Sequence, residues 1–159
     1  MGDSRSVVED GLLEMSLTRR VSASPEIVFR AWTDARQLAE WWGPKGFTNP
    51  VCEADARVGG AIRIDMCAPD GVIYPMTGQF VQIDRPHRLV FKTAALDGEG
   101  KPMFEVLNTV TFTAVAGGTE IALVAQVTST TPDAPRYLSG MSMGWSQSLD
   151  RLGALVARL

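Results

Sequence analysis

Histidine occurs once in this chain of 159 residues and cysteine only twice. One histidine and two separated cysteines give no zinc site of familiar spacing. The lone His87 sits in the turn Arg85-Pro86-His87, where a solvated residue is expected rather than a general base. The chain has no G-x-S-x-G nucleophile elbow and no glycine loop that would cradle a phosphate. No metal and no cofactor are expected. Long apolar runs are missing too, which excludes a spanning helix. Fifteen Lys and Arg against eighteen Asp and Glu leave a net charge of −3, with no basic cluster. That argues against a nucleic-acid partner and against an anionic membrane surface. The first stretch, Met1 to Glu14, is polar and acidic and has no signal-peptide core, so a cytoplasmic protein with free thiols is expected.

What is present is an ordinary globular composition, 45% hydrophobic and 21% charged, of a length that suits one domain. Residues 1–11 read as a flexible leader and 12–159 as the domain. Its organising stretch is the last one. Leu138, Met141, Trp145, Leu149, Leu152, Val156 and Leu159 recur in steps of three or four, which is helical spacing with one buried stripe. From Ala134 onward this makes roughly 39 Å of helix, enough to cross a small domain. The half from Leu149 should pack firmly. The half from Leu138 to Gly144 contains two glycines and two methionines, and reads either as a locally weak helix or as an adaptable wall over a cavity.

The rest of the chain supplies the surface on which such a helix lies. Leu13 to Val21 reads as a first strand. Ser24-Pro25 is an N-cap followed by a first helical residue, and Asp34 can cap a second short helix that Gly43-Pro44 ends. Six strand-like runs follow: Val51–Arg57, Ala61–Cys67, Ile73–Ile83, Arg88–Ala95, Phe104–Ala114 and Thr119–Thr128. Short turns join them, so they are antiparallel. The expected fold is α+β: a curved seven-stranded antiparallel sheet, two short helices after the first strand, and a long C-terminal helix across the concave face. In the apolar register between the second and third strands, Cys52, Ala54 and Ala56 face Met66, Ile64 and Ile62, and Asp55 lies opposite Arg63. Cys52 and Cys67 then point to opposite faces and stay unbridged.

Few residues suggest chemistry. Glu53, Asp55, Asp65 and Arg63 fall on the wet face in this register. Asn108 alternates with Val106, Val110 and Phe112, so it points inward and needs partners there. Tyr74 has an apolar body and a polar tip. The stretch Trp41-Trp42-Gly43-Pro44-Lys45-Gly46-Phe47 reads as a plug closing one end of the domain or as the rim of a pocket. A cavity is expected between the sheet and the Leu138–Trp145 half of the helix. Ala54 and Ala56 would leave its volume free, and Ile62, Ile64, Met66, Val110 and Phe112 would line it. Trp41 or Trp42 would close one end, Met141 and Trp145 would cover it, and Asn108 or Tyr74 would offer a polar contact.

These residues also carry a resemblance. Ser24-Pro25-Glu26-Ile27-Val28-Phe29-Arg30-Ala31-Trp32-Thr33-Asp34, the Trp41 to Phe47 stretch, Val58-Gly59-Gly60 and Tyr74-Pro75-Met76-Thr77-Gly78 are its first segments. Arg85-Pro86-His87-Arg88-Leu89, Gly144-Trp145 and Leu149-Asp150-Arg151-Leu152 complete it. Together they resemble the bacterial members of the heat-shock-protein-90 ATPase activator-like family, in the START and birch-pollen-allergen-like superfamily. The resemblance implies the helix-grip fold and a hydrophobic ligand between sheet and long helix. It places no catalytic or metal-binding residue here. The first expectation is therefore a binding protein for an apolar or amphipathic small molecule. The alternatives are a protein–protein module, such as a chaperone accessory or a homodimer, and a cofactor-free cyclase- or hydrolase-like enzyme.

Overall fold

The computed structural model describes residues 3–9, 12–129 and 134–159, with the side chains of 14–128 and 140–159. In chain order the elements are β1 (Asp3–Glu9), β2 (Leu12–Val21), α1 (Pro25–Thr33), α2 (Ala35–Trp41), β3 (Thr48–Ala54) and β4 (Ala61–Cys67). They continue with β5 (Ile73–Asp84), β6 (Arg88–Leu96), β7 (Pro102–Val115), β8 (Gly118–Ser129) and α3 (Ala134–Val156). The strands form one antiparallel sheet in the order β1-β2-β8-β7-β6-β5-β4-β3. The seven expected strands are β2 to β8, and the helix-grip arrangement is the one the sequence implies. An eighth strand adds at the edge. Asp3–Glu9, expected as part of a leader, pairs along β2 from Asp3 opposite Thr18 to Glu9 opposite Leu12. Backbone pairing, not an apolar pattern, makes this strand, so the sequence gives no sign of it.

Local chemistry sets the helix ends. The Ser24 hydroxyl accepts from the Ile27 N–H at 3.4 Å, and Pro25 occupies the first helical turn. Asp34 both ends α1 and starts α2. Its N–H donates to Arg30 O at 2.8 Å, and its carboxylate accepts from the N–H groups of Arg36 (2.9 Å) and Gln37 (3.3 Å).

The concave face carries the core. Period-two alternation buries Ile121, Leu123, Ala125 and Val127 of β8 and Val106, Asn108, Val110 and Phe112 of β7. From α3, Trp145, Leu149, Leu152, Leu155 and Val156 pack into it. Leu159 is past the helix end and 58% exposed, whereas Leu155, outside the sequence stripe, is buried. Leu138 falls outside the described side chains.

The β3–β4 pairing is two residues away from the expected one. Ala54 lies opposite Ile62, Cys52 opposite Ile64, and Glu53, not Asp55, opposite Arg63. The cause is the connection. Gly59 and Gly60 do not form a tight hairpin between β3 and β4; their backbones bond Phe80 within β5 instead. A Cβ on Gly60 would collide with the Asp55 carbonyl. Ala56 is consequently outside the strand and exposed. A shift of two keeps the faces, so Cys52 points inward, Cys67 outward, and both are free thiols.

Truncation before Leu149 removes Leu149, Leu152, Leu155 and Val156. Each buried aliphatic side chain is worth about 1.5–3 kcal/mol, against a whole margin of about 5–15 kcal/mol. The shortened chain should show no cooperative melt by circular dichroism; a melt near the full-length temperature would refute this packing.

Candidate functional site

All four tryptophans of the chain meet at the junction of the helices. Trp32 stacks on Trp145 with centroids 5.7 Å apart and planes at 19°. Trp41 packs edge-on to Trp32 at 4.6 Å, and Trp42 edge-on to Trp145 at 5.1 Å. The Trp41 indole N–H donates to Ala31 O at 2.8 Å. Trp41 is therefore a plug, fully buried, whereas Trp42 and Trp145 present their other sides to a cavity.

That cavity holds about 500 Å³ and is open to solvent. Its roof is α3 at Gly140, Met141, Gly144, Trp145 and Ser148. Its floor is the inward face of β4 to β7, with Met66, Met76, Ala95, Phe104 and Val106. The α2–β3 connection closes one side through Gly43, Pro44 and Phe47, and Tyr74, Pro75, Leu96 and Met103 lie toward the mouth. Tyr74 is 47% exposed and its ring is 6.1 Å from that of Phe47. The wall is mostly apolar, with Thr93, Asn108, Ser148 and Tyr74 supplying hydroxyl and amide groups.

Of the residues expected here, Trp42, Met66, Tyr74, Asn108, Met141 and Trp145 are on this wall. The others are not. Ile62 and Ile64 are deeper, under Trp32 and Trp42. Val110 and Phe112 belong to the core beneath α1, where Phe112 meets Phe29 edge-on at 5.3 Å. Ala54 packs against the core as part of β3, which α2 covers, and Ala56 is in the exposed connection. The small side chains of β3 do not leave a cavity, because they admit a helix. The inward neighbours of Asn108 along and across the sheet, Phe104, Val106, Thr93 and Ala95, were missed. Alternation on β7 and pairing with β6 point to them.

The side wall is pinned to α3 by polar contacts. Arg151 Nη1 donates to the carbonyls of Trp42 (3.0 Å), Gly43 (3.0 Å) and Pro44 (3.1 Å), and Nη2 to Glu40 O (3.0 Å). These are terminal carbonyls of α2 and the turn after it, which no helical N–H reaches. Burial pulls this guanidinium below its ordinary value, yet it stays charged. Gln147 Oε1 accepts from the Lys45 N–H at 3.0 Å. On the other side of the helix, Arg19 of β2 bonds Asp150 and reaches Ser146 Oγ at 3.0 Å. Gly43 has a φ of +96°, which glycine tolerates and other residues rarely adopt.

Glu53 and Arg63 are on the outer face, and Asp55 pairs with Arg57 at 2.7 Å in the connection. Burial, reinforced by Glu53, pushes the Cys52 thiol up to about 11. No cluster of metal-binding side chains exists among the described residues, and none of their helices is long and apolar enough to cross a membrane.

A curved antiparallel sheet gripping one long helix over an apolar cavity defines a helix-grip protein of the START-like superfamily. The chain belongs to the activator of Hsp90 ATPase homolog 1-like protein family, whose model matches residues 22–157. A crystal structure of a Chromobacterium violaceum protein is 32% identical, with 90% of this chain and 96% of that chain covered and a TM-score of 0.76. Two further likenesses are of fold. A solution structure from Arthrobacter aurescens has a TM-score of 0.86 at 24% identity, covering 99% of this chain and 92% of that one. The AHSA1 protein from Silicibacter pomeroyi has a TM-score of 0.76 at 23% identity, covering 91% and 97%. No curated protein matches the sequence.

Replacing Arg151 with Leu removes the charged donor from Gly43 O and Glu40 O, whereas Trp42 O keeps the Asn49 amide and Pro44 O keeps the Phe47 N–H. The variant should lose about 2–3 kcal/mol in urea unfolding; an unchanged midpoint would show that the latch carries no stability. For Cys52, the folded value lies above the ordinary 9.0. The neutral thiol's contribution is therefore whole below that pH and is lost as pH rises through about 11. In denaturant without reductant two thiols should react with iodoacetamide. In the folded protein at pH 8.5 Cys52 should react far more slowly than when unfolded, and equal rates would contradict its burial.

Proposed function

We propose that this protein binds an apolar or amphipathic small molecule in the cavity between the sheet and the Gly140–Ser148 part of α3. The observation that carries the reading is the cavity itself. Its volume of about 500 Å³ lies within the range of about 300–1,000 Å³ usual for small-molecule sites. Its walls are predominantly apolar with a few hydrogen-bonding groups, the composition that such sites share. Met66, Met76, Met103 and Met141 are adaptable walls, and Trp42, Phe47, Phe104 and Trp145 offer flat ones. Gly140 has nothing within 4 Å of where a Cβ would be, so packing does not require glycine there, and the missing side chain leaves volume under the helix.

A second reading, a protein–protein module or homodimer, has narrower support. Val72, Ile73 and Tyr74 are each nearly half exposed at the β4–β5 hairpin, and Met143 is 66% exposed on α3. Val72 to Tyr74 is a short run, not a broad patch, and Tyr74 also belongs to the cavity wall.

The test fills the cavity from its floor. Ala95→Trp puts a large ring among Met76, Phe104 and the helix roof. Nile red, a neutral apolar fluorophore, should light up with the parent and lose at least about tenfold in affinity with the variant, while the variant still melts cooperatively. Equal binding by both proteins, or none by the parent, would move the protein–protein reading ahead.

A further inference from the structure

We infer that the cavity selects an uncharged molecule that carries a hydroxyl group, and that Asn108 and Thr93 read that hydroxyl. This rests on the cavity reading above and narrows its ligand class. Asn108 is 1% exposed and lies on the wall. Its Nδ2 donates to Phe91 O at 3.3 Å and to Thr93 Oγ1 at 3.1 Å. The Phe91 carbonyl can only accept, so the amide cannot be turned round. The atom left over is Oδ1, and it has no partner. Six buried side-chain atoms lack a partner among the described residues, and Asn108 Oδ1 alone belongs to a residue of this wall.

An unpartnered buried acceptor is costly, and only a donor satisfies it. A carbonyl, an ether or a carboxylate brings none. Thr93 Oγ1 already accepts from Asn108, which leaves its own proton free to donate. An alcohol or phenol meets both groups: its O–H donates to Asn108 Oδ1 and its oxygen accepts from Thr93. Among the described residues of the wall none is Asp, Glu, Lys, Arg or His. Against these residues a carboxylate or ammonium head would be desolvated without a counter-charge, which disfavours fatty-acid-like and cationic occupants. The aromatic rings and thioethers around this polar pair favour a flat body behind the hydroxyl.

The experiment uses three compounds with one ring system, 2-naphthol, 2-methoxynaphthalene and 2-naphthoate, titrated calorimetrically at pH 7 into the full chain. For the parent, 2-naphthol should bind at least about tenfold tighter than either of the others. Asn108→Leu should bring 2-naphthol down to the level of 2-methoxynaphthalene, which itself still binds. If that variant does not fold, the ranking on the parent decides alone. Equal affinities, or a preference for 2-naphthoate, would overturn the hydroxyl selection while leaving the cavity reading intact. Binding of none of the three would remove the cavity reading and this inference with it.

Discussion

The stack of Trp32 on Trp145, flanked by Trp41 and Trp42, is the contact on which the rest of the architecture depends. It joins the short helices to the long one and ties all three to the sheet through Phe91 and Phe112. Aromatic pairs of this geometry contribute about 0.5–1.5 kcal/mol each beyond the area they bury. The cluster has a functional consequence as well. Trp42 and Trp145 are core residues on one side and cavity wall on the other, so the inner end of the cavity is built from the core itself.

From that point α3 divides into two parts with different tasks. Beyond Trp145 it is anchored on every side. Leu149, Leu152, Leu155 and Val156 enter the core, Arg151 holds the turn after α2, and Arg19 holds Asp150 and Ser146. Before Trp145 the described side chains begin at position 140, and Gly140, Met141 and Gly144 lie over open volume. The same helix thus fastens the fold and roofs a site. Arg151 links the two tasks, because the carbonyls it satisfies belong to the wall segment Trp42-Gly43-Pro44.

Much of this was legible in the sequence wherever periodicity governs. The two-residue alternation of β4 to β8 and the three-four spacing from Trp145 to Val156 follow directly from burial of one face. The caps at Ser24 and Asp34 follow from unpaired N–H groups. What stayed hidden was decided by contacts between distant backbones. Asp3–Glu9 is a strand because β2 has a free edge. The start of β3 is not strand-like in sequence, but the Asn49 amide donates to Ala39 O (2.9 Å) and Trp42 O (2.8 Å) and holds it against α2. The cavity lies under the part of the helix that the sequence pointed to, but one part of its expected floor was misplaced for the same reason. Small residues on β3 suggested free volume, yet α2 covers that strand, and the floor runs over β4 to β7 instead. Arg151 lies off the apolar stripe, and only the folded chain shows which carbonyls it reaches.

The division of α3 is most directly tested by native-state hydrogen exchange, followed amide by amide with and without 2-naphthol. Amides from Leu149 to Val156 should exchange only with global unfolding, and those from Gly140 to Trp145 through a smaller local opening that 2-naphthol suppresses. Uniform protection along the helix, unchanged by the compound, would contradict the account.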